Sequence, residues 1–79
     1  MAKEAPHIVV AFGTTADAMG FQALAVNNPL LAGRLAPIPR QISAGCGFAW
    51  REPAENEAAL RQLLNDSEIE YETIVLLDL

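Results

Sequence analysis

The order of β-rich and helix-compatible stretches along the chain is strand, helix, strand, strand, helix, strand. It predicts an α+β domain in which a four-stranded antiparallel sheet carries two helices on one face. Three observations support the prediction. Apolar, β-branched runs stand near both ends of the chain, at residues 7–12 and 71–79. Helix-compatible stretches follow Thr15 and Pro53. The 79 residues, 52% hydrophobic and 19% charged, suit a single domain over residues 1–79 and are too apolar for a disordered tail.

The first strand, residues 7–12, ends at Gly13-Thr14-Thr15, which reads as a helix cap. The first helix follows and ends near Val26. Met19, Ala23, Val26 and Leu30 fall at helical spacing, and Asn27-Asn28-Pro29 supplies the stop. Asp17 and Gln22 are its only strongly polar side chains, so part of this helix is expected to meet another chain. Residues 34–38 have room for a short second strand, held to an edge or a distorted end because Pro37 and Pro39 lack ladder donors.

After a polar turn at residues 40–45, Cys46, Phe48 and Trp50 alternate with Gly47, Ala49 and Arg51, which predicts a third strand over 46–51. Pro53 suits a first helical turn, and Leu60, Leu63 and Leu64 form the apolar stripe of an amphipathic second helix. The final run contains Ile74-Val75-Leu76-Leu77, too continuous for a strand with one wet face, so a central or dimer-buried strand is expected. This succession, βαββαβ, is that of the ferredoxin-like split βαβ fold. With right-handed crossovers and the usual strand order of that fold, the third strand lies antiparallel beside the first, bringing Cys46-Gly47 next to Gly13-Thr14-Thr15 at one end of the sheet.

Composition excludes several function classes. Five Lys plus Arg against ten Asp plus Glu leave a net charge of −5, which disfavours a phosphate-neutralising surface, so no nucleic-acid partner is expected. Residues 52–79 hold eight acids and one base, Arg61, for −7, whereas residues 1–51 hold two acids and four bases, for +2. The Cys46 end is therefore expected to be the less negative. The most apolar stretch, residues 18–32, is broken by Gly20, Gln22 and Asn27-Asn28-Pro29 and is too short to span a membrane. The first residues run into Ile8-Val9-Val10 without the apolar region and cleavage site of a secretory signal, which predicts a cytoplasmic protein. With one cysteine and one histidine the chain has no internal disulfide and no structural zinc site, and no metal or cofactor is expected. No Gly-rich phosphate loop, His-Glu pair or Ser-His-Asp set can be assembled.

What remains is the thiol. A thiol reacts as its thiolate, which a helix N-terminus or a cation favours. The first helix begins at Thr14 or Thr15, and Arg40 lies in the turn before Cys46. Gly45 and Gly47 remove side-chain bulk and permit unusual backbone angles, so the cysteine is expected to be accessible and exchangeable. The same surroundings suit a persulfide or selenopersulfide anion. The plainer reading stands beside this one: free Cys is among the most buried residue types, flanking glycines also fit a tight turn, and Thr14 and Thr15 serve as a cap. Arg51 reads as a surface or interface charge. His7 starts the first strand, at the end of the sheet away from Cys46, and Phe48 and Trp50 read as core.

The segment Ala36-Pro37-Ile38-Pro39-Arg40-Gln41-Ile42-Ser43-Ala44-Gly45-Cys46-Gly47, with Arg51 beyond it, and the step Gly13-Thr14-Thr15-Ala16 resemble the hallmarks of the selenium/sulfur (Se/S) carrier protein-like family of small bacterial and archaeal proteins. The resemblance covers nearly the whole chain. It implies that Cys46 carries the chalcogen atom, with Arg40, Ser43 and Gly47 as motif neighbours and Thr14 and Thr15 facing it across the sheet. Gln22 and Gln41 stand where members often have acidic residues. The better-known TusA-like sulfur carriers differ, having Cys-Pro-x-Pro at a helix start, whereas here the prolines precede the cysteine.

The expected function is a carrier rather than a turnover enzyme. Cys46 accepts sulfur or selenium from a donor such as a cysteine desulfurase and passes it to an acceptor protein, with Thr14, Thr15, Arg40, Ser43, Gly45 and Gly47 around it. From a different class, a regulatory or oligomeric assembly module would pair through the apolar first helix and use Cys46 only in a turn. A thiol oxidoreductase would need an external thiol to resolve its disulfide.

Overall fold

The computed structural model of the chain describes residues 5–79, so residues 1–4, part of the segment used above against a secretory signal, lie outside it. The elements are β1 (Pro6–Ala11), α1 (Thr15–Ala25), β2 (Arg34–Pro37), β3 (Phe48–Pro53), a 3₁₀ turn (Ala54–Asn56), α2 (Glu57–Ser67) and β4 (Thr73–Asp78). The sheet order is β2-β3-β1-β4, with every neighbouring pair antiparallel. This is the predicted α+β, ferredoxin-like arrangement of four strands and two helices.

Strand alternation divides the apolar residues between two faces. On the helical face, Ile8, Val10, Phe12 and Trp50 pack with Ala18, Phe21 and Ala25 of α1 and with Leu60 and Leu64 of α2. Phe21 stands at the centre of this core, 5.6 Å from the ring of Phe12 and 5.6 Å, edge-on, from the ring of Trp50. On the opposite face, Val9, Ala11 and Ala49 are also fully buried, because the segment after β2 folds beneath the sheet and lays Ile38, Ile42 and Ala44 against them. β1 is therefore covered on both sides.

Four expectations change. The third strand begins at Phe48 rather than Cys46. A strand needs a ladder partner, and the last pairs available are Ala11↔Ala49 in β1 and Pro37↔Phe48 in β2. Cys46 and Gly47 lie in the bend before it, and Phe48 is 44% exposed rather than core. Pro53 closes β3 and leads into the 3₁₀ turn instead of opening a helix. The helical spacing at Met19, Val26 and Leu30 marks the outer side of α1 and its continuation, whereas Ala18, Phe21 and Ala25 make its buried face. Finally, β4 is an edge strand, not a central one, since only β1 pairs with it among the described residues. The second helix agrees with its prediction, with Leu60 and Leu64 buried and Leu63 packed against the core. No helix of the described residues is long and apolar enough to cross a membrane.

Candidate functional site

Three connections meet at the end of the sheet where β1 finishes: residues 12–14, 45–47 and 70–72. The first hands β1 to α1. Thr14 is extended, as an N-cap must be, and its hydroxyl accepts from the Asp17 amide at 3.1 Å. Asp17 also places an acid in the first turn, where the helix dipole favours it. Thr15 is the first helical residue, and its Oγ1 stands 3.7 Å from Cys46 Sγ.

The second connection is tied to β1 by the Cys46 amide, which donates to the Phe12 carbonyl at 3.2 Å. Cys46 Sγ accepts from the Phe48 amide at 3.4 Å. Its side chain joins the helical-face core and only 3% of the residue is exposed, which corrects the expectation of an accessible thiol. The reason lies in the backbone. The bend turns Cys46 inward beneath α1, while Gly45 and Gly47 on either side face solvent.

The two glycines serve different ends. A Cβ on Gly45 would lie 2.6 Å from the Gly13 carbonyl oxygen, so the connections touch only because glycine is there. A Cβ on Gly47 would meet nothing within 4 Å. None of the described glycines has positive φ, so close approach, not an unusual backbone angle, is what Gly45 supplies.

The third connection contributes Glu72, which the sequence reading missed. Its Oε2 accepts from the Gly45 amide at 3.3 Å, and its own amide donates to the Ala11 carbonyl at 2.8 Å. The signal was its place just before β4, since a strand antiparallel to β1 must start beside the residue where β1 ends. Glu72 also lines an open cleft of about 260 Å³ with Gly13, Thr14, Asp17, Glu70 and Tyr71. Three carboxylates therefore border this end of the sheet, against the expectation that it would be the less negative one.

The structure brings Thr14, Thr15, Gly45 and Cys46 together, with Gly47 adjoining. Arg40 and Ser43 are exposed on the segment beneath the sheet and make no hydrogen bond to the sulfur. His7 lies at the other end of β1, paired with Pro53 and Leu77, where its Nδ1 donates to the Ala5 carbonyl at 2.9 Å. Arg51 is paired with Val9 and Arg34 within the sheet. The Phe48 amide was a further omission, because a backbone donor cannot be told from residue identity.

No curated protein and no solved structure matches the chain. The family model described as "Putative Se/S carrier protein-like" matches residues 7–76, from β1 into β4, and so takes in the thiol, the cap and the segment leading to Cys46. The chain belongs to the Se/S carrier protein-like family.

Proposed function

We propose that the protein carries sulfur or selenium on Cys46 and delivers it to a partner protein. The observation that supports this most directly is the setting of the sulfur. It is the chain's only thiol, placed beside the first residue of α1 with the Phe48 amide directed at it, in a chain of a carrier-like family.

In the loading step, the Cys46 thiolate attacks the outer sulfur of a donor persulfide. A bond forms between the two sulfurs, the donor's own S–S bond breaks, and its cysteine leaves as thiolate. Delivery repeats the exchange. The acceptor's thiolate takes the terminal atom and Cys46 returns to thiolate. The two electrons of each broken bond leave with the departing thiolate, so no external oxidant or reductant is consumed. Selenium follows the same course. The Phe48 amide and the Thr15 hydroxyl are the groups within reach of the added anion, and Gly45 and Gly47 leave the approach free of side chains.

Because Cys46 is covered, exchange requires the 45–47 bend to swing away from Gly13. Arg40 and Ser43 then serve at the rim, as groups that meet the partner rather than the sulfur. The protein passes cargo by exchange and turns nothing over by itself.

Intact mass after purification without reductant, before and after incubation with a cysteine desulfurase and cysteine or selenocysteine, tests the proposal. The expected result is a reductant-sensitive gain of one sulfur or selenium atom that is absent from a folded Cys46→Ser variant. Transferable chalcogen retained by Cys46→Ser would overturn it. The burial of Cys46 and the exposed apolar side chains of Met19 and Leu24 on α1 favour one second reading, an assembly module with a structural thiol. That reading predicts no adduct and a thiol inert to alkylation in the folded protein.

A further inference from the structure

The two edges of the sheet are built in opposite ways. β2 is four residues long, begins with Arg34 and ends at Pro37, with Pro39 close behind. Short length, a charge and prolines are the usual means by which an edge strand is kept from pairing. β4 has no proline, and its one charge, Asp78, stands at its end. The strand is six residues long, and its centre, Ile74-Val75-Leu76-Leu77, is an unbroken apolar run. None of these four residues is buried, and Leu76 is 61% exposed. Among the described residues nothing pairs with the outer side of this strand.

The direction of its free hydrogen-bonding groups follows from its pairing with β1. Leu79 and Ala5 exchange both amide-to-carbonyl bonds, at 3.0 and 2.9 Å. In an antiparallel ladder such pairs recur at every second residue, so Leu77 and Val75 also direct their backbone groups at β1. The amides and carbonyls of Ile74, Leu76 and Asp78 therefore point outward. These three residues offer a second strand a ladder.

We propose that β4 pairs antiparallel with β4 of a second copy of this chain, across a two-fold axis at Leu76. Charge and length select this partner and this register. Parallel self-pairing in register would stack Asp78 on Asp78 and Glu72 on Glu72. Antiparallel pairing centred on Val75 would set Glu72 opposite Asp78. Centring on Leu76 sets Asp78 opposite Ile74 and Thr73 opposite Leu79, uses all of β4, and brings the exposed Leu76 side chains of the two copies together. Such a two-fold is self-complementary and closes at two copies. Its axis runs through the sheet, so the helices of both copies stay on the same side and two four-stranded sheets become one of eight. The site at Cys46 takes no part in the seam, so the proposal stands or falls apart from the carrier chemistry.

Mass measured by light scattering or sedimentation across a wide concentration range tests it. The wild-type protein is expected to shift from 8.5 kDa towards twice that on concentration. Leu76→Lys, at an exposed position, sets two ammonium groups against each other across the axis. It is expected to hold the monomer mass at every concentration, with unchanged circular dichroism and with the melting of the wild type at dilutions where that is monomeric. In a Cys46→Ser background, Leu76→Cys is expected to give a covalent dimer under mild oxidation, because directly opposed residues of a hydrogen-bonded pair stand about 5.5 Å apart at Cα, within disulfide reach. A wild-type mass that stays monomeric throughout overturns the proposal. So does a dimer that survives Leu76→Lys but is broken by Met19→Lys, because the contact then lies on α1.

Discussion

The two ends of β3 each bury a group capable of chemistry, and they treat it in opposite ways. Just before the strand, Cys46 Sγ has two polar neighbours, the Phe48 amide at 3.4 Å and the Thr15 hydroxyl at 3.7 Å. Near its far end, Glu52 is fully buried and its carboxylate accepts four bonds: from Trp50 Nε1 at 2.9 Å, the Gly33 amide at 3.0 Å, the Ala32 amide at 2.7 Å and Asn56 Nδ2 at 2.8 Å. Four donors satisfy both oxygens, and that saturation is what allows a lone carboxylate to remain inside. Glu52 thereby fastens the connection before β2 and the 3₁₀ turn to β3. A group whose lone pairs are all engaged is a fastening. A sulfur with only two polar neighbours, at the margin of the core, has capacity left for a second partner.

The largest expected effect comes from breaking the fastening. Glu52→Ala strands the Trp50, Gly33 and Ala32 donors and should lower stability by about 3 kcal/mol, read from the midpoint of urea unfolding. A change below about 0.5 kcal/mol would mean that the carboxylate does not hold this end together. Next is Gly45→Ala, whose new methyl meets the Gly13 carbonyl. It should cost about 2 kcal/mol, while Gly47→Ala, with open space around it, should cost less than about 1 kcal/mol. Equal losses in the two variants would show that backbone freedom, not contact, explains both glycines. Thr14→Ala removes the cap of α1 and should cost about 1 kcal/mol, visible as lost helicity on mild heating. The smallest effect on stability is expected for Glu72→Ala, which releases the Gly45 amide at the surface. That change should raise the alkylation rate of Cys46 in the folded protein several-fold, and an unchanged rate would show that the carboxylate does not restrain the bend.

The element order was legible because it rests on periodicity and on turn residues such as Gly13, Asn27 and Pro29, and the sheet topology because that order matches the ferredoxin-like arrangement. The proximity of Thr15 to Cys46 followed from topology alone. What the sequence withheld was depth. Cys46 between two glycines suits an exposed turn and an inward-facing bend equally, and only the packing of Phe12, Phe21 and Trp50 decides between them. Glu52 was hidden for a related reason. Two of its four partners are backbone amides 19 and 20 residues earlier, which leave no mark in residue type. The continuous apolar run of β4 suggested a central or dimer-buried strand, and the fold sets that strand at the edge of its own sheet.

The underside of the sheet bears on how this site can be moved between proteins. The segment that ends at Cys46 also lays Ile38, Ile42 and Ala44 against Val9, Ala11 and Ala49. Two of those three receiving residues are alanines, and larger side chains there would lift the segment away. The stretch from Pro37 to Gly47 is thus a cassette with its own docking requirement. Grafted onto another four-stranded scaffold, it should seat its cysteine only where the host sheet presents a shallow apolar bed on the face away from its helices.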